Sequence, residues 1–134
     1  MNSFANFENL TPYQQIQKED ELIKRLKENT NPNSRDAAIE DFSNFLTVRL
    51  VESATHNPPG SNKPNPWGIF NHVRTRFGNM RNLLAMKGKD YYLNQHEVDT
   101  VIRNVIYGIK VKYKQLYEEN KELFEEALGD YLKV

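Results

Sequence analysis

Residues 94–114 read NQHEVDTVIRNVIYGIKVKYK, and whether this stretch is helix or strand decides the fold. Val98, Val101, Ile102, Val105, Ile106 and Ile109 recur at steps of three and four, the spacing that gathers side chains on one stripe of a helix. Just ahead of them Asn94 and Glu97 stand at capping-box spacing, so that each side chain can accept the other residue's backbone N–H. The final part, Gly108 to Lys114, instead alternates apolar and Lys residues, which is the strand period, and LTVRL at 46–50 does so more briefly. Paired as a two-stranded antiparallel ribbon, these segments give an α+β chain. Helix is the stronger reading, because each segment lies inside a longer 3.6-residue pattern and no third strand is present to support a ribbon. The stripe continues through Tyr113, Leu116, Leu123, Phe124 and Ala127 to Gly129. Unbroken, it is about 50 Å long at 1.5 Å per residue; a break near Asn120 divides it in two.

Upstream, Thr11-Pro12-Tyr13-Gln14 has the chemistry of a helix start, with a Thr cap, Pro in the first turn and Gln at capping-box spacing. Tyr13, Ile16, Ile23 and Leu26 are its expected apolar stripe. Asp20 with Lys24 and Glu21 with Arg25 stand four apart as surface ion pairs. The turn formers of NTNPNS, which contain Pro32, end this helix near Asn29. Ser34 is the expected cap of a second helix, with Asp36 in its first turn and Ile39, Phe42, Leu46 and Leu50 on its inner face, flanked by Ala38 and Phe45. Residues 56–66, HNPPGSNKPNP, form a Pro-rich loop. From Pro66 the positions Phe70, Val73, Phe77, Met80 and Leu84 return to helical spacing, interrupted by Gly78. Either one helix runs to about Met86, with Gly78 admitting a close neighbour, or Gly78 ends a first helix and Asn79 caps a second, giving 66–87 a helix-turn-helix outline. The whole reads as an all-α chain, residues 1–134 forming a single compact bundle of four or five helices with an N-terminal arm at 1–10.

The composition removes several chemistries. There is no cysteine, which excludes disulfides and thiolate sites. His56, His72 and His96 are never paired at a metal-ligand spacing, and HEVDT at 96–100 has Thr where a zinc-protease helix requires its second His. No phosphate-loop, dinucleotide or nucleophile-elbow motif occurs. The acidic run from Glu118 to Glu126 reads as a solvated face rather than a metal site, because no Glu or Asp stands three residues before a His. No enzyme, cofactor or metal is therefore expected. The opening residues lack the basic start and apolar run of a signal peptide, and no stretch is long and apolar enough to cross a bilayer. A cytoplasmic protein, or one inside a virion given the Asn-rich, Cys-free composition, is the expectation.

Charge is segregated although it sums to zero. From Ser53 to Lys89 there is no Asp or Glu, while Glu118 to Asp130 is mostly acidic. On a regular helix Asn71, Arg74, Gly78, Arg81 and Asn82 share one face. Arg and Asn suit two-pronged contacts to carboxylates, phosphates or base edges. Lys63 in the adjoining loop and Trp67 at its end extend this face with charge and apolar area. The expected function is non-enzymatic binding, as an accessory or assembly subunit that meets an acidic protein partner or another copy through Lys63, Trp67, Asn71, Arg74, Arg81 and Asn82. The alternative is a small nucleic-acid-binding regulator using Arg74, Arg76, Asn79, Arg81, Lys87 and Lys89. Against both stands internal neutralisation, in which Arg74 and Arg81 pair with the chain's own acidic tail.

Overall fold

A computed structural model describes residues 4–29, 31–55, 70–129 and 131. Among them there is no strand, and the chain is all-α: α1 (Pro12–Glu28), α2 (Pro32–Thr55), a π-helical segment (Val73–Gly78) continuing into α3 (Asn79–Lys87), α4 (Gln95–Lys112), α5 (Lys114–Glu119) and α6 (Lys121–Leu128). Residues 46–50 and 108–112 are helix, so the ribbon alternative falls. The two segments do meet, but as crossing helices: α2 packs most extensively on α4 and next on α1.

The caps follow local chemistry. Thr11 Oγ1 accepts the Gln14 amide at 3.1 Å while Gln14 Oε1 accepts the Thr11 amide at 3.0 Å. Asn94 and Glu97 make the same reciprocal pair at 2.8 and 2.9 Å. The start of α2 differs from expectation. Asn31 rather than Ser34 caps it, its side chain accepting the Asn33 amide at 3.0 Å. Pro32 therefore opens the helix instead of closing the turn, since the first helical position needs no amide hydrogen.

Helix α2 is the centre. From Phe42 to Val51 every residue except Asn44 is buried, so it has no solvent face over that span and must be covered on several sides. The hydroxyls of its buried Ser43 and Thr47 donate to the carbonyls of Ile39 and Ser43, four residues back, at 2.7 and 2.8 Å. The buried side chains form one cluster that includes Leu26, Phe45, Phe77, Ile102, Ile109 and Phe124.

On α1 the expected stripe is wrong in its first half. Tyr13 and Ile16 are 70% and 61% exposed, while Leu22 and Leu26 are buried. Only the C-terminal half of α1 lies over the core, so its inner face is set by Leu22 and Leu26 one turn apart. The expected surface pairs are exchanged as well. Arg25 reaches Asp41 on α2 at 2.8 Å, and Lys18–Glu21 and Lys24–Glu28 pair along the helix.

The arm is pinned to the core, with Phe7 buried edge-on against Phe45 and Phe4 edge-on to Tyr113. Tyr113 also donates its hydroxyl to Glu8 at 2.9 Å. This anchoring marks the first of two breaks in the long C-terminal stripe. Tyr113 leaves helical geometry (φ −118°, ψ 42°), as Asn120 does further on (φ −131°, ψ 32°). Sequence spacing indicates only the second.

The close approach expected at Gly78 occurs at Gly108. A Cβ built on Gly108 meets Thr47 Cγ2 at 3.0 Å, whereas one on Gly78 meets nothing within 4 Å. Gly78→Ala should therefore stabilise the chain by about 0.5–1 kcal/mol through helix propensity alone. Gly108→Leu should cost about 1–3 kcal/mol by overpacking the α2–α4 crossing. Urea denaturation of the two variants checks both signs.

Candidate interaction face

The helical backbone passes through Gly78 without a turn (φ −61°, ψ −42°), and Asn79 is helical too (φ −64°, ψ −40°). The helix-turn-helix reading of 66–87 is thereby corrected over the described part, residues 70–87. The chain accommodates an extra residue through a π-helical turn rather than breaking. Such a turn delays every later side chain by about one helical position, roughly 100°. That rotation redraws the candidate face. Asn71, Arg74, Thr75, Asn79 and Asn82 are exposed on one side, while Val73, Phe77 and Met80 are buried on the other. Asn79 takes the place expected for Gly78, and Arg81 turns away to half-burial.

Arg81 lies over the ring of Tyr131, with its guanidinium carbon 4.5 Å from the ring centroid. Among the described residues, the C-terminal segment thus meets Arg81 through an aromatic ring rather than a carboxylate. Neither Arg74 nor Arg81 forms a salt bridge among the described residues. Internal neutralisation by the described acids of the tail does not occur. Arg76, expected among the nucleic-acid contacts, is instead half-buried and ion-paired with Glu19 of α1. It belongs to the fold, because it ties this helix to α1. Lys87 and Lys89 are exposed at the far end of the helix. Lys63, Trp67 and the 56–66 loop lie outside the described residues.

Beneath this face sits His72. Its Nε2 is shut off from solvent with no hydrogen-bond partner among the described residues. Burial chiefly, then the positive charges of Arg76 and Arg49, pull its pKa down to about 3, so it is neutral at physiological pH. Among the described residues no three His, Asp or Glu side chains gather where they could hold a metal ion, and no described helix is long and apolar enough to cross a membrane.

No family model matches the chain, and neither does any curated protein or solved structure.

Sequence reasoning missed the chain's main polar junction, which is structural. The Arg35 guanidinium donates to both Glu97 carboxylate oxygens (2.9 Å to Oε1), to the carbonyls of Leu26, Asn29 (3.1 Å) and Tyr92, and so ties the end of α1 and the 91–93 turn to the start of α4. The hydrogen bond to Glu97 raises the Arg35 pKa further against the lowering effect of burial. Burial raises the Glu97 pKa, but the Arg35 hydrogen bonds, the Asn94 amide and the charges of Arg35 and His96 outweigh it, and the net direction is down. The only signal in the sequence is the Asn94–Glu97 cap, which places Glu97 at the helix start but says nothing of Arg35.

Proposed function

We propose that this chain is a non-enzymatic binding subunit of a larger assembly, a single compact helical bundle whose Asn71, Arg74, Asn79 and Asn82 face docks an acidic protein surface. One observation carries the reading. Of seven arginines, Arg25, Arg35, Arg49 and Arg76 each hold a carboxylate of their own chain, while Arg74 is exposed and has no such partner among the described residues. A guanidinium flanked by amides on a face without acids is suited to carboxylates, which would meet like charge if Asp or Glu stood there. Trp67 and Lys63 extend the same surface through the Pro-rich loop in this reading, the prolines limiting the entropy lost on binding.

A nucleic-acid regulator is the competing class, and it retains the Arg and Asn composition of the face without a recognition helix of its own. Titration against random duplex DNA at low salt separates the two. The acidic-partner reading expects weak binding with a shallow dependence on salt, because few phosphates are neutralised. Tight binding with a steep log–log salt slope, lost in a folded Arg74→Glu variant, would replace the first reading with the second.

A further inference from the structure

A different helix carries a second exposed face. On α4, Tyr107 and Val111 stand one turn apart and are 63% and 47% exposed. Arg103, Lys110, Lys112 and Lys114 surround them, all exposed. None of these four cations forms a salt bridge among the described residues. Lys114 and Glu118 stand four apart along the chain, yet they too form no ion pair. Residues 103–114 carry four cations and no acid, and residues 115–129 carry Glu118, Glu119, Glu122, Glu125 and Glu126 against Lys121, so +4 is followed directly by −4. Among the described residues, the one ion pair on the acidic side is Lys121–Glu125, at 3.9 Å.

We propose that this α4 face is a self-association surface whose occupant is the acidic α5–α6 segment of a second copy. A segment with a basic half and an equal acidic half is complementary to itself when the two copies run antiparallel, which is the two-fold arrangement in which each contact occurs twice. In this arrangement Lys110 and Lys114 of one copy face Glu118 of the partner subunit and Glu122 of the partner subunit. Parallel association sets like charge against like and is disfavoured. Exposed ion pairs contribute little on their own; Tyr107 and Val111 supply apolar area, and the charges fix register and partner. This surface lies on a different helix from the face assigned to the acidic partner, so either assignment stands without the other.

The test is a reciprocal charge exchange read by sedimentation. Lys110→Glu/Lys114→Glu faces Glu with Glu in its own dimer, and Glu118→Lys/Glu122→Lys faces Lys with Lys, but a mixture of the two restores opposite charge at all four contacts. The wild-type chain should self-associate as its concentration rises, and should dissociate in high salt because exposed charges are screened. Each variant alone should remain monomeric with an unchanged helical circular dichroism spectrum, its self-affinity weakened roughly tenfold or more. An equimolar mixture should recover the dimer. A wild-type chain that stays monomeric throughout overturns the proposal, as does a folded variant that dimerises as well as wild type, or a mixture that stays monomeric. A chain that never self-associates but binds random duplex DNA, and loses that binding in Lys110→Glu/Lys114→Glu, assigns the face to nucleic acid instead.

Discussion

Arg35→Ala should destabilise the chain by about 3–5 kcal/mol, the range for removing one partner of a buried ion pair. The substitution leaves the Glu97 carboxylate in a site where it is 11% exposed. It also strips donors from the carbonyls of Leu26, Asn29 and Tyr92. Urea denaturation gives the loss directly. Adding Glu97→Gln to Arg35→Ala should recover part of it, since the stranded charge is gone and Gln still completes the cap with Asn94. The pair also has a pH signature. Glu97 has a folded-state pKa below its unfolded value, so its contribution is fully present above the ordinary carboxylate range and is lost as pH falls through the folded pKa. The acid limb of the stability curve should therefore flatten in the Arg35→Ala variant.

Phe77→Ala should cost about 3–5 kcal/mol by the transfer-plus-cavity argument for a large buried ring. Phe77 is 1% exposed, and its ring meets Tyr131 edge-on with centroids 5.1 Å apart. The loss should loosen the C-terminal segment as well as the 70–87 helix, because Tyr131 contacts both Phe77 and Arg81. Hydrogen exchange should show the protection of α6 falling together with that of α3. A Phe77→Ala variant of unchanged denaturation midpoint would mean that this helix presents a different face to the core.

What the sequence discloses and what it hides divide along physical lines. The two capping boxes and the α4 stripe are local chemistry, settled by residues within a few positions of one another. Phe42, Leu46, Val73, Phe77, Val105 and Ile109, which helical spacing places on inner stripes, are buried, and Phe70 and Leu116 on the same stripes are half-buried. The Arg35 junction is hidden because Tyr92 and Glu97 stand 57 and 62 residues away, and an Arg in a first turn looks like a solvated one. Tyr13 and Ile16 mislead because helical spacing shows which residues share a stripe, not how much of the stripe lies over the core. The π turn is silent in sequence, and the single residue it absorbs moves Asn79 onto the candidate face and Arg81 off it. Within that site, Asn71, Arg74 and Asn82 are legible from spacing alone, whereas the pairing of Arg76 with Glu19 depends on where α1 lies.

The central claim is that the Asn71, Arg74, Asn79 and Asn82 face receives carboxylates. Amide chemical-shift mapping with a short polyglutamate peptide at low salt tests it most directly. The account predicts shifts concentrated at residues 71–82, fading as salt is raised and abolished in Arg74→Glu while the remaining spectrum is unchanged. Shifts confined to other surfaces, or shifts at this face that survive Arg74→Glu, would contradict it.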